Sequence, residues 1–283
     1  MTPSGRGYAA ADRLMLYAVL LVGAGIMLYP LMWLASSSIK PSQLIFTDPS
    51  LWPAEVDFGN YVKGWQGPGV PFGSFFVNSF IVSIASVVGN LVACSMVAYA
   101  FARLNFKLKR LWFALMLGTM MLPTHVTLIP QYVIFFNLGW LNTFLPLVVP
   151  KFLAHDAFFI FLMVQFIRGI PRELDEAAMI DGAGVFGIYW RVVLPLMAPA
   201  LITTAIFTFI WTYEDFLLPL VYLSDMNLYT VPLGLRLFMA ATGDSAWGPL
   251  LAMSLASLVP LIIVFVVFQR RLIDGIATSG VKG

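Results

Sequence analysis

The sequence predicts an all-α membrane protein, and three observations carry that prediction. Of 283 residues, 60% are hydrophobic and only 11% are charged, whereas soluble domains carry about 25% charged residues. The mean hydropathy is +0.88, so lipid must replace water over much of the folded surface. Six apolar stretches each approach the ~20 helical residues needed to cross a bilayer core of roughly 30 Å. The net charge of +2 is too small to point to nucleic acid. The one cysteine, Cys94, excludes an intramolecular disulfide. It lies in an apolar run, where it packs as a small hydrophobe.

The stretches justify themselves in order. The first, Leu14 to Leu34, holds no charge; it is longer than a signal-peptide core and no small-x-small cleavage site follows, so it reads as a retained anchor. The second covers Phe75 to Phe101, with Asn78 and Asn90 as its most polar members. The third, Leu111 to about Tyr132, carries Pro123, His125 and Pro130. The fourth, about Leu145 to Ile167, holds Lys151, His155 and Asp156 in its first half. The fifth, Leu196 to Leu223, contains Glu214 and Asp215, and the sixth runs from Pro249 to Phe268. Together they predict one transmembrane domain over residues 1–283, without a sizeable soluble appendage.

Orientation follows from Lys and Arg in the connecting segments. With the N-terminus inside, the inner segments hold Arg6, Arg13, Arg103, Lys107, Lys109, Arg110, Arg168, Arg172, Arg191, Arg270, Arg271 and Lys282, which is 12 of the 16 basic residues. Both termini are then expected in the cytoplasm. The outer segments differ in chemistry. From Lys40 to Gly73 the chain is rich in Pro, Gly and Trp, which is loop composition with rings suited to the membrane interface. Ser224 to Gly248 mixes polar and apolar residues and is expected to include a short interfacial helix.

The segment 168–195, between the fourth and fifth stretches, is the informative one. Pro171 suits a first helical turn, where its missing N–H costs nothing. Glu173, Asp175 and Glu176 place negative charge at the positive end of the helix dipole. Ala177 and Ala178 are strong helix formers, and Gly182 and Gly184 stop the helix by admitting left-handed geometry. A second helical stretch leads from Val185 to Leu194-Pro195. A small, alanine-faced helix of this kind suits close docking into another protein's groove; lying on the membrane as a connection is the alternative.

The spacing Glu176-Ala177-Ala178, three residues, Gly182, nine residues, Val192, one residue, Leu194-Pro195 resembles the cytoplasmic signature of permease subunits of ATP-binding-cassette importers. It departs only in Val192, where the family has Ile. Asp181-Gly182-Ala183, Asn78-Ser79, and the run Ala98 to Arg103 resemble the carbohydrate-importer branch, of the MalG-like type. So does the C-terminal Gly280-Val281-Lys282-Gly283, whose counterpart reaches into the ATPase dimer interface. The resemblance, over residues 10–283, implies the MetI-like type I permease fold. It makes Glu173, Glu176, Ala177, Ala178, Asp181, Gly182, Leu194 and Pro195 the ATPase-coupling residues. It implies import of a carbohydrate, an oligosaccharide or disaccharide, by alternating access across the cytoplasmic membrane. The implied partners are a second, MalF-like permease, a MalK-like ATPase dimer holding ATP and Mg, an extracytoplasmic sugar-binding protein and membrane lipid.

No Gly-x-x-x-x-Gly-Lys-Ser/Thr loop is present to cradle phosphates, so the energy must come from a partner and this chain is expected to be non-catalytic, with no cofactor of its own. Ionisable groups inside a span are functional candidates by default. Glu214 and Asp215, after Trp211 and Tyr213, are candidates for a sugar path, with the rings stacking on the sugar; pairing within the subunit or with its neighbour is the alternative reading. Lys151, His155 and Asp156 read first as a local ion pair, and His125 as a polar group at a helix kink. Two histidines and no cysteine partner make a metal centre improbable. An ion-coupled secondary transporter, a membrane-embedded enzyme, and an importer of a polyol or glycerol phosphate are the competing readings.

Overall fold

The computed structural model describes residues 10–240 and 247–280, with side chains from 13 to 239 and from 247 to 269. Fourteen α-helices and no strand occur among the described residues. α1 (Ala10–Ser37) is followed by a 3-10 turn and α2 (Gly59–Gln66). α3 (Phe72–Arg103) starts after Pro71, and α4 (Lys109–Thr119) and α5 (Thr124–Asn137) come next. α6 (Leu145–Phe152) and α7 (Ala157–Gly169) precede α8 (Glu173–Ile180) and α9 (Val185–Ile188). A π-helical turn, Tyr189–Val193, leads into α10 (Leu194–Leu196) and α11 (Ala198–Glu214). α12 (Leu217–Tyr222), α13 (Val231–Ala240) and α14 (Trp247–Gly280) complete the order.

The predicted stretches fall on these helices with two corrections. Arg13–Ser37, Phe72–Arg103, Leu145–Gly169 and Trp247–Gln269 are long and apolar enough to cross a membrane. The third stretch is instead a bent pair, α4 and α5, meeting at 101°. The break falls just before Pro123, which caps α5 from an extended backbone. The fifth is also broken: Val185–Leu196 and Ala198–Glu214 meet at 74°, and the helix stops again at Asp215, whose backbone is extended. Among the described residues four helices therefore qualify as spans by length and composition, and six if each bent pair counts as one.

The chain divides into two compact units. In the first, Met1–Gly69 with Leu237–Ala256, the segment after α1 is organised by buried polar groups. Lys40 is 1% exposed and donates from Nζ to Asp48 O at 2.7 Å and Ser50 O at 2.6 Å, with Asp48 Oδ2 at 3.6 Å. Asn60 Nδ2 donates to Ser38 O and Lys40 O at 3.1 and 2.8 Å. Trp52 is 89% exposed. Within 224–248 the chain forms α13.

In the second unit, Val70–Arg236 with Ser257–Gly283, α3 is the central element and packs on α11, α7 and α6. Its buried face is built from small residues, among them Ser79, Ser83, Ser86, Gly89, Cys94, Ala98 and Ala102. Lipid supplies no hydrophobic drive between helices, so close backbone approach through such residues is how they associate. At Gly89 the approach is close: a Cβ would stand 2.8 Å from Phe152 Cδ2. Asn78 Nδ2 donates to Asn227 O and Tyr229 O at 2.7 and 2.9 Å, and Ser79 Oγ accepts from Val231 N at 2.8 Å. These bonds fix the segment before α13 onto the start of α3.

Candidate functional site

Segment 168–195 folds as a short helix with defined ends. α8 carries Glu173, Asp175 and Glu176 in its first turn, and the N–H groups of Asp175 and Glu176 both donate to Arg172 O, at 3.0 and 3.1 Å. Pro171 lies ahead of α8 rather than inside its first turn. At the other end Gly182 is left-handed, with φ +80°. Its N–H donates to Met179 O at 3.0 Å, and that of Ala183 to Ala178 O at 2.9 Å, which satisfies two otherwise orphaned carbonyls. Gly184 does not share this role: its φ of −73° and ψ of 174° are extended, and it opens α9. One glycine, not two, terminates the helix.

What holds α8 and the segment after it in place was not visible in the sequence. Ser95, Tyr99 and Arg103 stand four residues apart on α3 and so share one face. Ser95 Oγ and Tyr189 Oη form a buried hydrogen bond of 2.8 Å. Tyr99 Oη donates to Val185 O at 3.0 Å. Arg103 Nε lies 2.7 Å from Asp175 Oδ2, and its Nη2 donates to Ile170 O at 2.8 Å. The Arg103 and Asp175 side chains are only 6% and 9% exposed. Asp175 is thus a buried anchor rather than a dipole partner alone. The π-helical turn at Tyr189 turns that ring towards α3, where it meets Tyr99 at 5.3 Å between centroids.

The outer face of the peg is open. Glu173, Glu176, Ala177, Asp181 and Gly182 are exposed, as are the apolar Met179 at 56%, Ile180 at 87% and Phe186 at 67%. Ala178 is half-buried and packs on the core of this unit. Leu194 also packs on that core, and Pro195 is exposed beside it in α10. Of the C-terminal candidates, Gly280 is the last residue of α14, while Val281, Lys282 and Gly283 lie outside the described residues.

The acid and aromatic candidates of the fifth stretch do not converge. Tyr213 is 2% exposed and packs on Phe209 and Phe80, at 5.7 and 6.0 Å between centroids, so its ring is unavailable to stack on a sugar. Asp215 Oδ1 accepts from Leu218 N at 3.2 Å and caps α12. Trp211 is half-exposed against Phe158, Phe159 and Phe207, and Glu214 is exposed at the end of α11.

A second polar cluster sits inside the helices. Asp156 Oδ2 accepts from Lys151 Nζ at 2.9 Å and from Asn90 Nδ2 at 2.6 Å, and Asn90 also donates to Thr208 Oγ1 at 3.1 Å. His155 Nδ1 lies 3.6 Å from Asp156 Oδ1. The local ion pair read from the sequence is therefore present, and Asn90 and Thr208 extend it across α3 and α11. His125 is exposed in the first turn of α5, beside the 101° break. Among the described residues no group of three His, Cys, Asp or Glu side chains could hold a metal ion.

The family profile of the binding-protein-dependent transport system inner membrane component matches residues 89–277. This chain belongs to that family. The permease is 37% identical over 260 residues to the probable ABC transporter permease protein YurM of Bacillus subtilis, covering 90% of this chain and 84% of that one. It is 34% identical to the arabinooligosaccharides transport system permease protein AraQ of Halalkalibacterium halodurans, over 92% and 93% of the two chains. It is 31% identical to the trehalose/maltose transport system permease protein MalG of Thermococcus litoralis, over 94% and 96%. A solved bacterial ABC transporter involved in importing the acidic polysaccharide alginate superposes with a TM-score of 0.81, at 25% identity and 93% and 98% coverage. The chain is a multi-pass inner-membrane permease subunit of an ABC importer, and the ATPase chemistry of such a system belongs to another subunit.

Proposed function

We propose that this permease imports a neutral oligosaccharide or disaccharide by alternating access, and that the peg of residues 171–184 seats in a cleft of a separate ATPase subunit. The observation that carries the coupling reading is the peg's construction: an exposed face of Glu176, Ala177, Met179 and Ile180, tied to α3 through Arg103 and Asp175, with the segment that follows tied to the same face of α3 at Val185 and Tyr189. A displacement of the peg is handed to α3, and from there to α11, α7 and α6. ATP can then bias inward-open against outward-open states only through contacts that differ between them. The carbohydrate reading draws on relatives named for arabinooligosaccharides and for trehalose and maltose.

Neutrality of the substrate is argued from Lys151, the one cation inside the predicted spans, which is already paired with Asp156. An acidic sugar or a glycerol phosphate would have to break that pair. Trp211 and Glu214, both exposed, are the path residues of this reading. Trp211→Ala and Glu214→Gln are expected to lower transport at least tenfold with assembly intact; wild-type uptake by both variants would remove them from the path.

The remaining partners are a MalF-like second permease, a MalK-like ATPase dimer and an extracytoplasmic sugar-binding protein. The whole chain acts as one permease domain with both termini in the cytoplasm, by the distribution of its basic residues. Cys94 is buried, so Ile180→Cys introduces the accessible thiol needed to test contact and orientation together. The thiol is expected to crosslink to the ATPase subunit, and to react with a membrane-impermeant maleimide only in inverted vesicles. Labelling from the outside would overturn the orientation; absence of any ATPase adduct would overturn the coupling role.

A further inference from the structure

At the start of the peg lies a cavity of about 640 Å³ lined by Arg103, Lys109, Arg168, Arg172, Glu173 and Phe101 among others, of which the coupling reading uses only Arg103 and Glu173. Three of its cations stand at or next to the ends of candidate spans: Arg103 closes α3, Lys109 opens α4, and Arg168 is the next-to-last residue of α7. The cavity is therefore at headgroup depth. Arg103 is committed to Asp175 and Ile170 O. The other three are not neutralised: among the described residues no carboxylate lies within 4.0 Å of Lys109, Arg168 or Arg172.

Two of these cations are held in position by uncharged partners. The Arg168 guanidinium sits 5.3 Å over the Phe113 ring, which fixes its plane. Lys109 Nζ donates to Leu104 O at 2.6 Å, leaving further N–H donors for a ligand. Lys109, Arg168 and Arg172 share one cavity with Glu173 as the single carboxylate in its lining, so the cations outnumber it and repel one another unless an anion enters. We propose that the cavity binds the phosphate of an anionic phospholipid headgroup. A free phosphate offers the same chemistry, but the surroundings favour lipid: α4 leaves the site with Leu111, Trp112 and Leu115 exposed at 51%, 55% and 53%, an apolar strip for acyl chains. Basic recesses between helix ends on the cytoplasmic side recognise lipid headgroups in this way. Assignment to the inner leaflet rests on the orientation proposed above; the binding itself does not.

The test uses the assembled transporter in nanodiscs of phosphatidylcholine alone or mixed with phosphatidylglycerol, with retained lipid counted by native mass spectrometry. The wild type is expected to retain phosphatidylglycerol in preference to phosphatidylcholine. Lys109→Gln with Arg168→Gln is expected to lower that retention about 30-fold, at the usual worth of two cations near an anionic headgroup. Lys107→Gln with Arg110→Gln removes the same charge from neighbouring residues that do not line the cavity, and is expected to leave retention unchanged. Lys109→Gln alone, with about fivefold loss, carries the test if the double variant does not assemble. Equal loss in both double variants would reduce the effect to general surface potential and overturn the site, as would no loss in the first. Complete displacement of phosphatidylglycerol by millimolar inorganic phosphate would overturn the lipid and assign the cavity to free phosphate. The maleimide experiment fails or succeeds separately, since it reads the leaflet and not the ligand.

Discussion

Asp175→Ala is expected to abolish coupled transport while leaving the ATPase subunits able to hydrolyse ATP. The reason is electrostatic. Asp175 Oδ2 and Arg103 Nε are 2.7 Å apart with both side chains under a tenth exposed, and Asp175 Oδ1 is buried with no hydrogen-bond partner among the described residues. The ion pair is therefore each charge's main compensation. Removing one partner of such a pair costs about 3–5 kcal/mol, because the other charge is left buried and alone. The chain can avoid that cost by letting α8 swing out, so that Arg103 reaches water, and the peg then no longer moves with α3. The measurement is a double-mutant cycle with Arg103→Ala, read as thermal stability of the purified complex and as sugar transported per ATP hydrolysed. The two single variants are expected to lose coupling severely, and the double variant to cost much less than their sum. Additive losses, or an Asp175→Ala permease that transports at the wild-type rate, would mean that the clamp does not transmit motion.

How much of this was legible in the sequence depended on the range of the interaction. The unbroken helices α1, α3 and α14 follow from apolar length alone, since a helix is the solution that satisfies its own backbone in lipid. The bends in the third and fifth stretches do not. Pro123, Pro195 and Pro199 are plain to see, but Pro130 sits inside α5 without ending it. Whether a proline breaks a membrane helix is set by what repairs the freed carbonyl, and that lies elsewhere in the chain. Gly182 was readable as a helix stop and Gly184 was misread as another. Glycine accepts either hand of φ, and only the bonds from Gly182 and Ala183 back to Met179 and Ala178 decide which one turns.

The clamp is the clearest case of what was hidden. The four-residue spacing of Ser95, Tyr99 and Arg103 marks a helix face, but nothing local says that Tyr189, Val185 and Asp175 lie against it. The group at 211–215 failed in the opposite direction. Trp211, Tyr213, Glu214 and Asp215 are near neighbours in sequence and look like one site. Successive helical residues point about 100° apart, so the same adjacency scatters them: Tyr213 into the core, Trp211 and Glu214 outward, and Asp215 onto the next helix. Lys151 and Asp156 escaped that problem because the break between α6 and α7 brings them back together.

Gly182→Val is expected to uncouple hydrolysis from transport almost as completely as loss of Asp175, and its neighbour shows why. A Cβ at either Gly182 or Gly184 meets nothing within 4 Å, so steric collision inside the chain explains neither substitution. What differs is the backbone: φ is +80° at Gly182 and −73° at Gly184. Holding an L-residue left-handed costs roughly 1–2 kcal/mol, more for a β-branched one, and unwinding to relieve that strain breaks the two bonds that close α8. The exposed face of Glu176, Ala177 and Ile180 would then lose its shape. Gly184→Ala is expected to transport as the wild type does, because extended backbone admits any residue. Gly182→Asn separates conformation from bulk: asparagine tolerates the left-handed region far better than valine at similar size, so it is expected to keep most of the coupling. If Asn and Val are equally damaging in an assay of transport per ATP, added volume against the ATPase is the cause and not the turn. If Gly184→Ala is as damaging as Gly182→Val, the peg is not built the way its hydrogen bonds indicate.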